Sequence, residues 1–395
     1  MAYRTTKRLG AALAVFTALA SARPARGATG PDGGGCAFPA KRQFEGRPWP
    51  LQRVLLDELW HDTRGEGVRV AVIDTGVDDT HPQLAGAVDA SAGADTLGGG
   101  DGTDDAVGHG TEVAGIIAAR PREGTGFVGL APGATVLPVR QNDARDSGTD
   151  ASMAAAILHA VARGAQVINI SQETTRPQSP GSVLARAVAE AVRRDIVVVA
   201  SAGNDGADGT RTPTYPAAFD GVLAVGASGR DNERASFSRP GSFVDVAAPG
   251  VDIVSTVPGR GHCADSGTSF SAPYVSAVAA LMRARYPRWT ARQIAARIEQ
   301  TAERSVNGRD DFVGWGVVDP VRALSGDDAP QDAPHPDAPP AGVRAPDPAP
   351  LSAADTREER DRRYAAWAMA LTLLLTGAVA GAAAVARDLR GRRTR

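Results

Sequence analysis

Gly267-Thr268-Ser269-Phe270-Ser271-Ala272-Pro273-Tyr274-Val275-Ser276-Ala277-Val278-Ala279-Ala280-Leu281 is a glycine-entered turn that runs on into small and apolar residues. The pattern predicts a helix slim enough to lie deep in a core. Ser269 falls in its first turn, where unpaired backbone N–H groups and the positive end of the helix dipole stabilise developing negative charge. That setting suits a nucleophile. Pro273 lies near the helix start, where a missing N–H costs least. The same residues also read as a buried Ala-rich helix with a Ser/Thr cap. The choice between the two rests on what lies upstream.

Upstream, Val68-Arg69-Val70-Ala71-Val72-Ile73 is a β-branched run that ends in Asp74-Thr75-Gly76. A buried strand ending this way sets a carboxylate at the carboxyl edge of a parallel sheet, where ligand and catalytic groups collect. An Asp that only closes a strand into a turn is the other reading. Gly108-His109-Gly110-Thr111-Glu112-Val113-Ala114-Gly115 repeats the pattern of a glycine turn entering a helix, now with a histidine at its start. The flanking glycines let backbone and substrate approach His109 closely. A histidine that merely caps the helix is the alternative.

Short apolar runs recur at 136–140, 167–171, 196–201 and 222–227, with helical stretches at 151–163 and 183–194 between several of them. This alternation implies an α/β fold, a mostly parallel sheet with helices on both faces. A short amphipathic helix is expected over 51–61. A helix over 290–301 and the stretch to residue 320 close the domain near residue 325. After the run at 196–201 comes Gly203-Asn204-Asp205. Asn204 offers a side-chain amide at a strand's carboxyl end, fit to hold an oxyanion, or serves as a turn residue. The glycine- and aspartate-rich loop at 86–108 carries Asp101, Asp104 and Asp105. Their spacing fits no calcium loop, and a solvated loop is expected. No metal-ligand spacing is present, and no cofactor is expected.

The 395 residues suffice for one large domain or two ordinary ones, and the net charge of −2 argues against nucleic acid as the main partner. Residues 1–22 read as a signal peptide: Arg4, Lys7 and Arg8, then a short apolar run, then Ala20-Ser21-Ala22. Residues 23–49 form an N-terminal extension expected to lie on the domain surface, and 50–325 the main domain. Residues 326–362, rich in Pro, Ala and Asp, read as a tether. The run at 363–386 is long and apolar enough for a transmembrane helix, and the basic tail 387–395 belongs in the cytoplasm. The main domain is therefore expected outside the cell membrane, on a single-pass anchor. Cys36 and Cys263 both fall in the exported part, where disulfides persist. They are expected to pair, with two free thiols as the other reading.

Together Asp74, His109 and Ser269 supply an orienting carboxylate, a base and a nucleophile, each beside a glycine at an element boundary. The order Asp, His, Ser differs from that of α/β-hydrolases and chymotrypsin-like enzymes, and it is the order of subtilisins. The chain resembles the subtilisin-like serine proteases, the subtilases, over about residues 50–325. Asp74-Thr75-Gly76, His109-Gly110-Thr111 and Gly267-Thr268-Ser269-Phe270-Ser271-Ala272-Pro273 match their three motifs, and Asn204 matches their oxyanion residue. The resemblance implies a serine endopeptidase acting on protein or peptide substrates, with Ser171 and Gly203 along the substrate cleft. Where subtilases often have Ser-x-Gly, this chain has Ser171-Gln172-Glu173, so Glu173 is expected to narrow the cleft or to favour a basic side chain. The layout further resembles the mycosins, membrane-anchored proteases of type VII secretion. That likeness implies a secretion membrane complex as partner. It leaves two rivals: a structural component with dispensable proteolysis, and a generic surface subtilase. The stretch 23–67 is too short for the folded inhibitory prodomain usual in secreted subtilases.

Overall fold

The computed structural model describes residues 38–145, 147–326, 329–337 and 357–392. The expected signal peptide, Cys36 and most of the expected tether lie outside these residues. The chain falls into two units, Met1–Asp337 and Ala338–Arg395.

In chain order the first unit contains α1 (Trp49–Arg53), α2 (Leu56–Leu59), β1 (Arg69–Asp74), β2 (Ala94–Asp95), α3 (His109–Ala118), β3 (Thr135–Arg140), α4 (Asp150–Ala162), β4 (Val167–Ile170), α5 (Val183–Arg193), β5 (Val197–Ser201), β6 (Val222–Ser228), β7 (Val246–Pro249), β8 (Ile253–Thr256), β9 (His262–Asp265), α6 (Thr268–Arg285), α7 (Ala291–Thr301) and α8 (Pro320–Leu324). Seven strands pair in parallel in the order β2-β3-β1-β4-β5-β6-β7, while β8 and β9 form an antiparallel ribbon. From β1 the chain moves first to one side of the sheet and then, from β4 on, to the other. Strand order therefore reverses at β1, and such a switch point opens a crevice at the strands' carboxyl ends.

The strands are apolar throughout because both faces are covered. Side chains alternate with period two. Val70 and Val72 of β1 join one core with Val113, Ile117, Val275 and Leu281. Ala71 and Ile73 join the other with Ile157, Leu184 and Val188. Helices α3 and α6 thus cover one face, and α4 and α5 the other.

Thr268 through Met282 are all buried in α6. Ser271, Ala272, Ser276, Ala277, Ala279 and Ala280 let this helix lie close to the strands. Arg283 and Arg285 occupy its last turn, where cations suit the dipole, and Pro287 prevents its continuation. Helices α4 and α7 begin in capping boxes, Thr149 with Ser152 and Thr290 with Gln293.

Two expectations change in detail. The helix expected over 51–61 is broken into α1 and α2 at Val54, which is extended. Leu51, Val54, Leu56 and Leu59 are all buried, and they do not share one face of a continuous helix. Residues 329–337, the start of the expected tether, lie along α7: Arg292 Nε donates to the Asp332 carbonyl at 2.8 Å, and His335 N to Gln300 Oε1 at 2.6 Å.

The described part of the N-terminal extension contacts the loop before β9 and β9 itself. Ala40 N donates to the Pro258 carbonyl at 3.0 Å, and Phe44 N to His262 Nδ1 at 3.0 Å. Cys263 lies on β9. No free cysteine occurs among the described residues.

In the second unit α9 (Arg357–Arg392) is a single helix of 36 residues. With a mean hydropathy of 2.0 in its apolar window, it is long and apolar enough to cross a membrane. It outruns the expected 363–386 because the Glu and Arg residues at its ends are good helix formers.

Candidate active site

Asp74 ends β1 at the switch point, wholly buried, and His109 opens α3. His109 Nδ1 lies 2.7 Å from Asp74 Oδ1, which also accepts from Thr75 N at 2.8 Å. Helix α3 can come this close because Gly110 has no side chain. A Cβ there would lie 2.0 Å from the Gly76 carbonyl oxygen. The His109 ring tilts against Phe270 of α6, with centroids 5.2 Å apart, so the histidine faces the first turn of the serine helix.

Ser269 sits in that first turn, 7% exposed. Among the described residues no hydrogen bond joins its hydroxyl to His109. Such bonds are often long until substrate is bound. The open side of Gly267 joins the serine to the amide: a Cβ there would lie 2.9 Å from Ser269 Oγ and 3.5 Å from Asn204 Nδ2. The Asn204 amide has a defined orientation. Its Oδ1 accepts from Thr268 N at 2.9 Å and from Thr268 Oγ1 at 3.0 Å, and among the described residues no hydrogen bond engages the Nδ2 donor. Thr268 Oγ1 in turn accepts from Gly203 N at 3.1 Å. Asp74, His109, Ser269, Asn204 and Gly203, chosen from four separate stretches, are thus brought to one edge of the sheet.

Ser171, just past β4, is buried and turned inward. Its hydroxyl donates to the Ser269 carbonyl at 2.9 Å and accepts from Asn169 Nδ2 at 2.9 Å. Asn169 Oδ1 accepts from Ser276 Oγ at 2.9 Å. This chain of bonds pins α6 to β4. Asn169 gave no signal in the sequence beyond being polar inside an apolar run, the mark of a satisfied buried group.

The solvated loop expected at 86–108 is corrected at Asp105, which is 7% exposed. Its Oδ1 accepts from Thr75 Oγ1 and Gly108 N at 2.8 Å each, and its Oδ2 from Thr111 N at 2.9 Å and Thr111 Oγ1 at 2.5 Å. The carboxylate caps the start of α3 and ties it to the turn after β1. Three residues before Gly108-His109, an acid placed to take orphan helix N–H groups was the available signal. No cluster of three or more His, Cys, Asp or Glu side chains placed to hold a metal occurs among the described residues.

Burial alone would depress His109, but the charge of Asp74 and its hydrogen bond outweigh it and raise the ring to about 9. Glu112, one turn along α3, is buried and pushed up to about 8 by loss of solvent, against the pull of His109. Burial likewise pushes Asp105 up, against the donors that surround it.

A buried acid on a histidine and a serine at a helix start, in this chain order on a parallel sheet, meet a match to the subtilase family over residues 65–316. The chain belongs to the subtilase family. This subtilase is a serine endopeptidase, related to the mycosins. It is 39% identical to the Thermophilic serine proteinase of Bacillus sp. (strain AK1), over 73% of this chain and 69% of that protein. It is 38% identical to Mycosin-4 of Mycobacterium tuberculosis, over 75% of this chain and 71% of that protein. The crystal structure of MycP1 from the ESX-1 type VII secretion system superposes with a TM-score of 0.67. That match has 34% identity and covers 79% of this chain and 92% of that one.

Proposed function

We propose that this subtilase is held in the cell membrane by α9 and cuts peptide bonds of protein substrates through Asp74, His109 and Ser269, beside a type VII secretion complex. The observation that carries the catalytic part is the 2.7 Å bond between His109 Nδ1 and Asp74 Oδ1 at the mouth of the serine helix. His109 Nε2 takes the Ser269 proton as Oγ attacks the scissile carbonyl. Asp74 fixes the tautomer and stabilises the imidazolium. Asn204 Nδ2 and the Ser269 N–H receive the oxyanion. The imidazolium then gives its proton to the leaving amine, and water releases the acyl group by the same route.

The membrane and partner assignments rest on other features. Residues 364–386 carry no charge, and five arginines follow within the last nine residues. The cytoplasmic preference of such a cluster puts the peptidase unit outside. Residues 1–22 would export it, and Cys36 would tie the extension to Cys263. The secretion partner is inferred from the likeness to Mycosin-4 and to MycP1.

The test is secretion in cells that lack the chain, complemented by wild type or by Ser269→Ala. Substrate processing that returns with wild type and not with Ser269→Ala supports the proposal. Cleavage of exported proteins that is indifferent to Ser269 contradicts it. Secretion lost on deletion and restored in full by Ser269→Ala would instead assign a scaffold role.

A further inference from the structure

His262 of β9 has both ring nitrogens engaged, and its neighbours fix which one carries the proton. Nε2 lies 2.6 Å from Gln83 Oε1. The Gln83 amide cannot be turned round, because its Nε2 donates to the carbonyls of Arg120 and Phe127 at 2.9 Å each. Its oxygen therefore faces His262, and only an N–H at His262 Nε2 can meet it. That leaves Nδ1 with a lone pair, and Nδ1 accepts from Phe44 N at 3.0 Å. The bond to Phe44 exists only while the ring is neutral.

Phe44 belongs to the N-terminal extension, whose residues 40–44 lie along the turn from β8 to β9 as a strap. Ala40 N donates to the Pro258 carbonyl at 3.0 Å, Arg260 N to the Ala40 carbonyl at 2.9 Å and His262 N to the Arg42 carbonyl at 2.8 Å. Thr125 Oγ1 donates to the Phe44 carbonyl at 2.7 Å. Lys41, Arg42 and Phe44 are exposed, so main-chain bonds rather than buried side chains hold the strap down. Just before it, Phe38 rests on Gly108, where a Cβ would lie 2.7 Å from Phe38 Cζ. The extension thus reaches the backbone next to His109.

His262 is 8% exposed. His81, from the loop after β1, is the titratable side chain beside it among the described residues, with ring centroids 6.0 Å apart. Its Nδ1 accepts from Gln83 N at 3.2 Å, and its Nε2 lies 3.2 Å from the Gly261 carbonyl oxygen, so it too is a neutral ring. Asp78 draws His81 toward its charged form, and Arg122 opposes this. From the segment after α3, Phe127 presents its ring at 5.3 Å, and Arg120 turns away to the Gly86 carbonyl. Glu45, like Lys41 and Arg42 of the strap, is exposed. Burial, helped by His81, therefore holds His262 down at about 4.

We propose that His262 is a pH-sensitive latch: the neutral ring holds the strap at Phe44, and a proton on Nδ1 releases it. The proton turns Nδ1 from acceptor to donor, so two N–H groups face each other and the bond is lost. A lifted strap leaves the ring in water, where it titrates in the ordinary histidine range, whereas the closed latch takes up the proton only near 4. Closure is therefore fully favoured above the ordinary histidine range. Below it, closure weakens by about tenfold per pH unit until the closed form also titrates. The latch goes beyond the protease reading and stands whether or not Ser269 is a nucleophile.

The experiment follows hydrogen exchange of the full chain in detergent by mass spectrometry, from about pH 7.5 to about pH 4.5, with rates corrected for the intrinsic pH dependence of exchange. Protection of the peptide that holds Phe44 should fall about 50-fold or more across that range, while the buried turns of α6 keep theirs. His262→Asn should abolish the fall, because its Oδ1 takes the Phe44 N–H and does not titrate. Thr125→Val removes a strap bond that has no proton to gain. It should lower protection at every pH and leave the fall in place, so wild type and this variant decide the matter even where His262→Asn does not fold. A wild-type strap equally protected at both ends of the range overturns the latch. So does the wild-type fall persisting in His262→Asn, its disappearance in Thr125→Val, or a loss of protection shared by α6, which is general unfolding.

Discussion

The Ser171 hydroxyl donates to the main-chain carbonyl of Ser269 at 2.9 Å. In an unbroken helix that carbonyl would accept from the N–H four residues on. Here that residue is Pro273, which has none. The proline opens the hydrogen-bond ladder directly beneath the serine, and a side chain from β4's end closes it. The first turn of α6 is thereby fastened to the central sheet rather than to its own second turn.

Ser171→Ala should therefore cost more than an ordinary buried hydroxyl. It leaves the Ser269 carbonyl and Asn169 Nδ2 without partners, and one unsatisfied buried group costs about 1–3 kcal/mol. Urea unfolding should show a loss of at least that size, together with a fall in kcat as Ser269 loses its anchor. Unchanged stability would mean that the bond contributes nothing.

His109 makes the acid limb of activity a direct readout of Asp74. Only the neutral ring accepts the Ser269 proton, and the pair raises that ring to about 9. kcat/KM should therefore climb with pH through and beyond neutrality, with its midpoint well above the ordinary histidine value. The same shift links to folding. The pair's stabilisation is fully present below the ordinary histidine range and is lost as pH rises through about 9. In Asp74→Asn the midpoint should fall toward the ordinary histidine range, since burial is then opposed only by the weaker pull of Glu112 and Asp105, and the rate should drop about 10⁴-fold. An acid limb already complete below the ordinary histidine value in wild type would refute the coupling.

Asn204→Ala removes a donor aimed at developing charge. It should lower kcat by about 100- to 1,000-fold while changing KM little. Steady-state kinetics on one peptide decides this, and full activity would remove Asn204 from the oxyanion role.

Asp105→Asn tests the cap of α3. The wild-type carboxylate accepts from Thr75, Val107, Gly108 and Thr111 with two oxygens. An amide offers one oxygen and turns an NH₂ toward donors, so about 3 kcal/mol should be lost. Thermal unfolding of the variant measures this, and activity should fall with it because Thr75 bridges Asp105 to Gly110 beside His109.

Much of this was legible in the residues, and for a reason. Strands buried on both faces must be apolar throughout, so β1, β3, β4, β5 and β6 stand out from the chain. Glycine beside Asp74, His109 and Ser269 marks places where backbones approach too closely for a Cβ. Strands β7 to β9 escaped notice: each has four residues, and β9 carries His262 and Asp265, so no run announces them. Partnerships between distant polar residues were equally silent. Nothing local to Asp105, Asn169 or Ser171 says which donors will meet them. That is settled by how β1, β4, α3 and α6 pack.

The account's central claim is that Ser269 is a nucleophile activated by His109. The full chain, solubilised in detergent, should be treated with a fluorophosphonate probe and the modified residue mapped by mass spectrometry. The account predicts an adduct on Ser269 that disappears in His109→Ala. A well-folded chain that stays unlabelled, or one labelled at Ser269 equally well without His109, would contradict it.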